Sequence, residues 1–275
     1  MDTSCIDCGM CFHLGPGIFK EVEDKSIVES QPQNAREWKE AKMAIVSCPT
    51  NSIGVKDAPH QFKEAHIELP MLICHNIHYC GYTSKDSFGA STYLIQRPEG
   101  NILIDSPRFH PHLVEEIEKL GGIATMFLTH QDDVADHELF AKHFGCQRII
   151  HRADVNEGTM GCEIILEGKS EWDLDRDVKI IPTPGHTQGS MVLLYKDIYL
   201  FTGDHIFYDR DEQKLRVSRG VCWYSWPEQV ESVKKLRSYH FEWIFPGHGA
   251  WGHKFRDEMK AELEDLIQQL PEKKR

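Results

Sequence analysis

Several things are scarce in this chain, and each scarcity excludes something. No apolar run approaches the roughly 20 residues a membrane-spanning helix needs. Basic charge is in deficit: 31 lysines and arginines against 43 aspartates and glutamates give a net charge of −12. That excludes the positive footprint of a non-specific nucleic-acid binder, though not a nuclease with a local basic groove. No internal repeat or low-complexity block occurs. With 40% hydrophobic and 27% charged residues, the composition is that of a soluble globular chain, not a disordered, collagen-like or coiled-coil one. The opening residues Met1-Asp2-Thr3-Ser4-Cys5 lack a basic n-region and an apolar h-region, so no export signal and a cytoplasmic location are expected.

What is present points to metals. Nine cysteines are an odd number, and without an export signal they favour metal ligation or free thiols over a disulfide framework. Of the 16 histidines, many adjoin Asp, Gly or Thr and not apolar faces. A length of 275 residues suits one large domain or one domain plus a small one. Four of the cysteines fall in residues 1–56, which read as a self-contained module. Residues 57–69 are polar with one proline and read as a linker, and residues 70–275 form a second domain.

In that second domain short strand-like runs alternate with helical stretches. Strands are expected at Ser91–Arg97, Asn101–Asp105, Ile123–His130, Arg148–His151, Val178–Pro182, Met191–Tyr195, Ile198–Phe201 and Phe241–Phe245. Leu113, Val114, Ile117 and Leu120 share one helical face, and Gly121-Gly122 stops that helix. Pro227 opens another helix that buries Val230, Val233 and Leu236. A charged amphipathic helix follows His253 with Met259, Leu263, Leu266, Ile267 and Leu270 inward. The fold class is α/β, with two sheets or one large sheet.

Near the amino terminus, Cys5-Ile6-Asp7-Cys8-Gly9-Met10-Cys11 gives C-x2-C-x2-C, and Cys48-Pro49 follows much later. Three closely spaced thiolates around one cluster corner, plus a remote Cys-Pro, are an iron–sulfur pattern. A structural zinc site is the rival, but zinc sites pair two C-x2-C halves and fit this spacing poorly. With Gly15-Pro16-Gly17-Ile18-Phe19 and Cys48-Pro49-Thr50-Asn51-Ser52-Ile53, the segment resembles a single-cluster bacterial ferredoxin, a small α+β domain. The resemblance implies one [4Fe–4S] cluster on Cys5, Cys8, Cys11 and Cys48.

Four further motifs each follow a strand-like run. They are Thr129-His130-Gln131-Asp132-Asp133-Val134-Ala135-Asp136-His137, then Thr183-Pro184-Gly185-His186-Thr187, Thr202-Gly203-Asp204-His205 and Pro246-Gly247-His248. Loops at the same ends of several strands can converge on one metal site. Their order resembles the metallo-β-lactamase superfamily over roughly residues 70–255, which implies an αβ/βα sandwich. It also implies one or two metal ions (iron, zinc or manganese), with His186, a bridging Asp204 and His248 as ligands. Leu103-Ile104-Asp105 resembles the family's early strand, whose aspartate braces the metal loops.

The first motif departs from the family pattern, H-x-[H or acidic]-x-D-H. Asp132 stands where a second histidine is usual, and Asp136-His137 come two residues late. An insertion that keeps Asp136-His137 as ligands beside His130 and Asp132 is the favoured reading, because it restores an Asp-His pair. Alternatively the chain aligns without it, or Asp133 takes the aspartate's place. Asp133 or Asp136 could also simply cap the helix Glu138–Phe144. Asp136 and Asp204 are the expected catalytic carboxylates. His130-x-Asp132 also resembles the flavodiiron branch, where a glutamate occupies the second place, and a carboxylate there suits iron or manganese.

These readings imply a metal-dependent hydrolase or oxidoreductase acting on a small molecule, with the fusion tilting toward redox chemistry through the cluster and a redox partner protein. Rivals are a thioester or other ester hydrolase with a structural cluster, and a non-catalytic redox sensor with a degraded metal site. Cys74, Cys80, Cys146, Cys162 and Cys222 are expected as buried or half-buried thiols. His75 and His78 are expected as ordinary histidines, and Tyr93 as core. Cys222-Trp223-Tyr224-Ser225-Trp226 either lines the substrate pocket or packs on the helix that follows.

Overall fold

A computed structural model of the chain describes residues 1–23, 25–56 and 69–270. Nearly all of the expected linker and the basic tail Lys273-Lys274-Arg275 lie outside the described residues. The chain divides into two compact units. The first holds Met1–Phe127 with Asp132–Gln147, and the second holds Leu128–Gln131 with Arg148–Arg275.

The first unit opens with the cysteine segment: α1 (Met10–Leu14), the hairpin β1 (Phe19–Glu21) and β2 (Ser26–Val28), then α2 (Ala35–Ser47). Asn34 caps α2 by accepting the Glu37 amide hydrogen at 3.0 Å. The helix buries Ala41, Met43, Ala44, Val46 and Ser47, and Cys48 follows it directly.

Five strands come next in the same unit: β3 (Met71–Cys74), β4 (Ile77–Tyr79), β5 (Tyr93–Ile95), β6 (Ile102–Ile104) and β7 (Thr125–Phe127). β3 to β6 pair antiparallel in succession, and β6 pairs parallel with β7, Ile102 facing Thr125. The parallel pair needs a crossover, supplied by α3 (Pro111–Lys119). Leu113, Val114 and Ile117 are its buried face, and Gly121 and Gly122, both at positive φ, turn the chain out of it. Asn101 fastens that turn by donating to the Leu120 and Gly122 carbonyls. α4 (His137–Phe144) completes the unit.

The second unit carries a parallel pair, β8 (Gln147–His151) with β9 (Ile164–Leu166). It also holds a six-stranded sheet of β10 (Trp172–Asp175), β11 (Val178–Pro182), β12 (Met191–Tyr195), β13 (Tyr199–Gly203), β16 (Trp243–Pro246) and β17 (Gly252–His253), in that order. A small hairpin, β14 (Phe207–Asp209) with β15 (Lys214–Arg216), forms its own two-stranded sheet and adds Tyr208 and Leu215 to the same core. α5 (Trp226–Lys235) and α6 (Arg256–Gln269) cover the six-stranded sheet. Ile181, Val192, Leu194 and Leu200 of the sheet pack there with Val233 of α5 and Met259, Leu263 and Leu266 of α6. Both helices show the expected apolar faces, and Val178–Pro182 and Met191–Tyr195 are strands over the expected residues.

The direction of these strands positions the site. β11 and β13 are each antiparallel to β12, so they run the same way, and β16 is parallel to β13. The carboxyl ends of β11, β13 and β16 therefore open on one edge of the sheet, and the residues that follow them are those of the three later motifs.

Candidate metal centre

His186 follows β11, Asp204 follows β13 directly, and His248 lies two residues beyond β16. The fourth participant, His130, belongs to the short segment Leu128–Gln131 of the same unit. Close backbone approach brings these loops together. Gly203 has φ of +49°, and a Cβ on it would lie 2.8 Å from the Thr129 Cβ, so glycine is needed where β13 meets the His130 segment. The Met191 amide donates to the Thr129 carbonyl at 2.9 Å, and Gly247 donates to Gly203 at 2.9 Å.

The outcome is a ring of imidazoles around one carboxylate oxygen. Nε2 of His130, His186 and His248 lies 3.9, 3.6 and 3.7 Å from Asp204 Oδ2. His130, His186 and Asp204 offer three donor atoms that all lie within 4.8 Å of one another. The His130 and His186 rings stand edge to face with centroids 4.7 Å apart. His130 and His186 are buried, whereas the His248 side chain is 30% exposed, so the site opens beside His248.

A metal ion fits the donors of His130, His186 and Asp204. A tetrahedron of metal–ligand bonds of about 2.0–2.1 Å has edges of roughly 3.4 Å. The observed separations are slightly wider than that and longer than hydrogen bonds. His130, His186 and Asp204 form one donor group, and two imidazoles with a carboxylate suit zinc well.

Buried residues surround the ligands. Asp154, 1% exposed, accepts from the Gln131 amide at 3.1 Å, the Thr187 hydroxyl at 2.5 Å and the Gly189 amide at 2.7 Å. Gln131 adjoins His130 and Thr187 adjoins His186, so one carboxylate fixes both ligand loops. The sequence reading missed Asp154, which carries no local motif. His205, beside Asp204, is buried, and burial pushes its pKa down to about 4, which keeps it neutral at pH 7. Thr129 Oγ1 lies 2.9 Å from His130 Nδ1, a contact that orients the ring.

The remaining first-motif residues fall in the other compact unit. Asp132 is exposed, and His137 is buried at the start of α4. Asp136 Oδ2 accepts the Phe109 amide hydrogen at 2.7 Å. Asp136 occupies the cap position of α4 without a side-chain capping bond. That carboxylate oxygen therefore braces the loop before α3. Asp133 is buried, and its carbonyl accepts from Ser106, the neighbour of the buried Asp105, at 3.2 Å.

Trp223 resolves the reading of residues 222–226. Its amide and that of Tyr224 both donate to the His186 carbonyl at 3.0 Å. Its indole lies 6.2 Å from the His186 ring and is 67% exposed. Trp223 stands at the rim of the site, and Trp226 begins α5.

The four amino-terminal cysteines line one small cavity in the first unit with Met10, Pro49 and Ile53 among its walls. Burial foremost, with repulsion from Cys11, Cys48 and Cys5 adding to it, pushes the Cys8 thiol up to about 12. Iron held by these four cysteines would offset that cost by binding them as thiolates. Four thiolates on a single zinc would lie about 3.8 Å apart. Three thiols at Cys5, Cys8 and Cys11 with a remote Cys48-Pro49 suit a cluster of several irons better than a lone ion. The Ser52 amide donates to Cys48 Sγ at 3.3 Å, a bond of the kind that tunes cluster thiolates. Cys80, Cys146 and Cys162 are buried thiols, and Cys74 and Cys222 are half-buried.

Residues 86–248 match the metallo-beta-lactamase superfamily. The chain belongs to that superfamily. Residues 1–55 match the 4Fe-4S single cluster domain of Ferredoxin I. A probable metallo-hydrolase of Methanocaldococcus jannaschii is 28% identical, over 60% of this chain and 90% of that protein. A hydroxyacylglutathione hydrolase of Rhizobium etli is 30% identical, over 51% of this chain and 52% of that one. A metallo-beta-lactamase superfamily protein of Sulfolobus tokodaii shares the fold, with a TM-score of 0.50, 17% identity and coverage of 71% and 86% of the two chains. Among the described residues no helix is long and apolar enough to cross a membrane.

Proposed function

We propose that this protein is a metal-dependent hydrolase of ester or thioester substrates. The observation that carries this reading is the convergence of His130, His186 and His248 on Asp204 Oδ2. His130, His186, His248 and Asp204 would hold a divalent ion there, which would supply Lewis-acid polarisation of a substrate carbonyl and a water of pKa about 7. The protein's own residues do the rest. Asp154 holds the loops of His130 and His186 in register. The exposed Trp223 offers a flat apolar surface against which a substrate chain can lie. The likeness to a metallo-hydrolase and to a hydroxyacylglutathione hydrolase supports the same class of reaction.

Hydrolysis consumes no electrons, so in this reading the cluster is a structural and redox-responsive part and not an electron source for the site. The test is a panel of acyl thioesters, including hydroxyacylglutathione, and simple esters, assayed with zinc-loaded protein and with Asp204→Asn. Turnover that the variant loses by about 100-fold or more supports the reading. Turnover that the variant keeps, or none on any substrate of the panel, contradicts it. If the site takes iron and turns over only with a reductant, the redox reading replaces it.

A further inference from the structure

We propose that residues 79–92, which lie outside the cysteine motif, form the outer wall of the cluster site, with Gly89 seated directly on the ligand Cys8. Gly89 has φ of +83°. A Cβ built on it would stand 2.7 Å from Cys8 Sγ, 2.8 Å from Cys8 Cβ and 3.4 Å from Pro49 Cγ. Both the backbone conformation and the space demand glycine there. Once iron pins the Cys8 sulfur, that atom cannot yield, so any added methyl displaces the wall.

Two further contacts grip the neighbourhoods of the other ligands. The Tyr79 hydroxyl donates to Met10 Sδ at 3.2 Å, and Met10 sits between Cys8 and Cys11. The Thr83 hydroxyl donates to the Ser47 carbonyl at 2.5 Å, and Ser47 precedes Cys48. Tyr79 and Thr83 are fully buried. The end of β4 and the segment joining it to β5 thus touch Cys8 and the chain beside Cys11 and Cys48. The cluster is enclosed between the cysteine segment and the lactamase-fold strands of the same unit, and does not belong to an autonomous small domain. Cluster occupancy is thereby coupled to the order of the β4–β5 connection. This inference rests on the cluster assignment and is independent of the hydrolase reading.

The experiment uses full-length, anaerobically purified protein carrying its cluster, and follows iron release to a ferrous chelator. Gly89→Ala is expected to release iron about tenfold faster than wild type, the scale on which groups around metal ligands act. Gly54→Ala is the control, because a methyl on Gly54 meets no atom within 4 Å, and it is expected to match wild type. If Gly89→Ala does not fold or load, Thr83→Val decides: faster release supports the wall and a wild-type rate overturns it. Hydrogen exchange provides the second readout, with amides of residues 77–95 expected to lose protection when the cluster is removed. Wild-type iron release from a fully loaded Gly89→Ala protein, or unchanged exchange over 77–95, overturns the proposal.

Discussion

Asp154 shows how a residue that binds no metal can govern a metal site. Its carboxylate takes three hydrogen bonds while buried, two of them from residues adjoining His130 and His186. Asp154→Asn replaces an acceptor oxygen with a donor amide. It is expected to lower zinc affinity about 10–100-fold with the far-ultraviolet circular dichroism unchanged, measured by competition with a chromophoric chelator. Unchanged affinity would remove Asp154 from the site. His186, Asp204 and His248 are legible in the sequence because each stands in a short Gly-bearing motif after a strand. Asp154 is not, because its role exists only once the loops of Gln131 and Thr187 have met. Gly89 is hidden for the same reason: nothing in its neighbours announces Cys8.

A second residue-scale prediction concerns Glu163. It accepts from the Arg148 amide at 2.7 Å and from the Arg148 guanidinium at 2.8 and 3.1 Å. The Arg148 side chain hydrogen bond is the main reason its pKa falls to about 2. A lowered carboxyl pKa contributes stability above the ordinary range near 4.3, and that stability is lost as pH falls through about 2. Glu163→Gln is therefore expected to be less stable at pH 7, with the gap closing below about pH 4, as read from urea midpoints at several pH values. The loss should be about 1–2 kcal/mol, modest because the Glu163 side chain is 39% exposed. An equal gap at every pH would contradict the ion pair.

At the scale of elements, the site depends on β11, β13 and β16 ending at one edge, and on α5 and α6 covering the sheet. Leu263 of α6 is buried against that sheet. Leu263→Ala is expected to cost about 2–4 kcal/mol of unfolding free energy while leaving turnover per folded molecule intact. Lost turnover in the folded fraction would mean that α6 does more than cover the sheet. The segment before α5 has a different role, since Trp223 hangs from the His186 carbonyl and remains exposed. Trp223→Ala is expected to raise KM about 2–10-fold with kcat nearly unchanged, as loss of a stacking surface does. A fall in kcat at constant KM would instead place the indole in the reaction itself.

Strong periodicity made these elements readable: the α3 face and its Gly121-Gly122 stop, and the two long buried strands, stand where the sequence puts them. The short strands β3, β9, β10, β14 and β15 were not read. Their residues are only half-buried or alternate weakly, so partners and not propensity define them. The first metal motif stayed ambiguous for a related reason. Of its three acidic positions, Asp132, Asp133 and Asp136, the last is used on the Phe109 amide. Spacing alone does not distinguish a ligand from a loop brace.

At the scale of the whole molecule, the chain offers two sets of metal donors: four thiols in the first compact unit, and His130, His186, His248 and Asp204 in the second. In the hydrolase reading the second site holds a catalytic metal distinct from the cluster iron. The most direct test is iron, sulfide and zinc analysis of anaerobically purified wild type beside the double variant His186→Ala, His248→Ala. Equal cluster iron and sulfide are expected in both proteins, with one or two zinc ions in the wild type that the variant lacks. Identical metal content in the two proteins would contradict that reading.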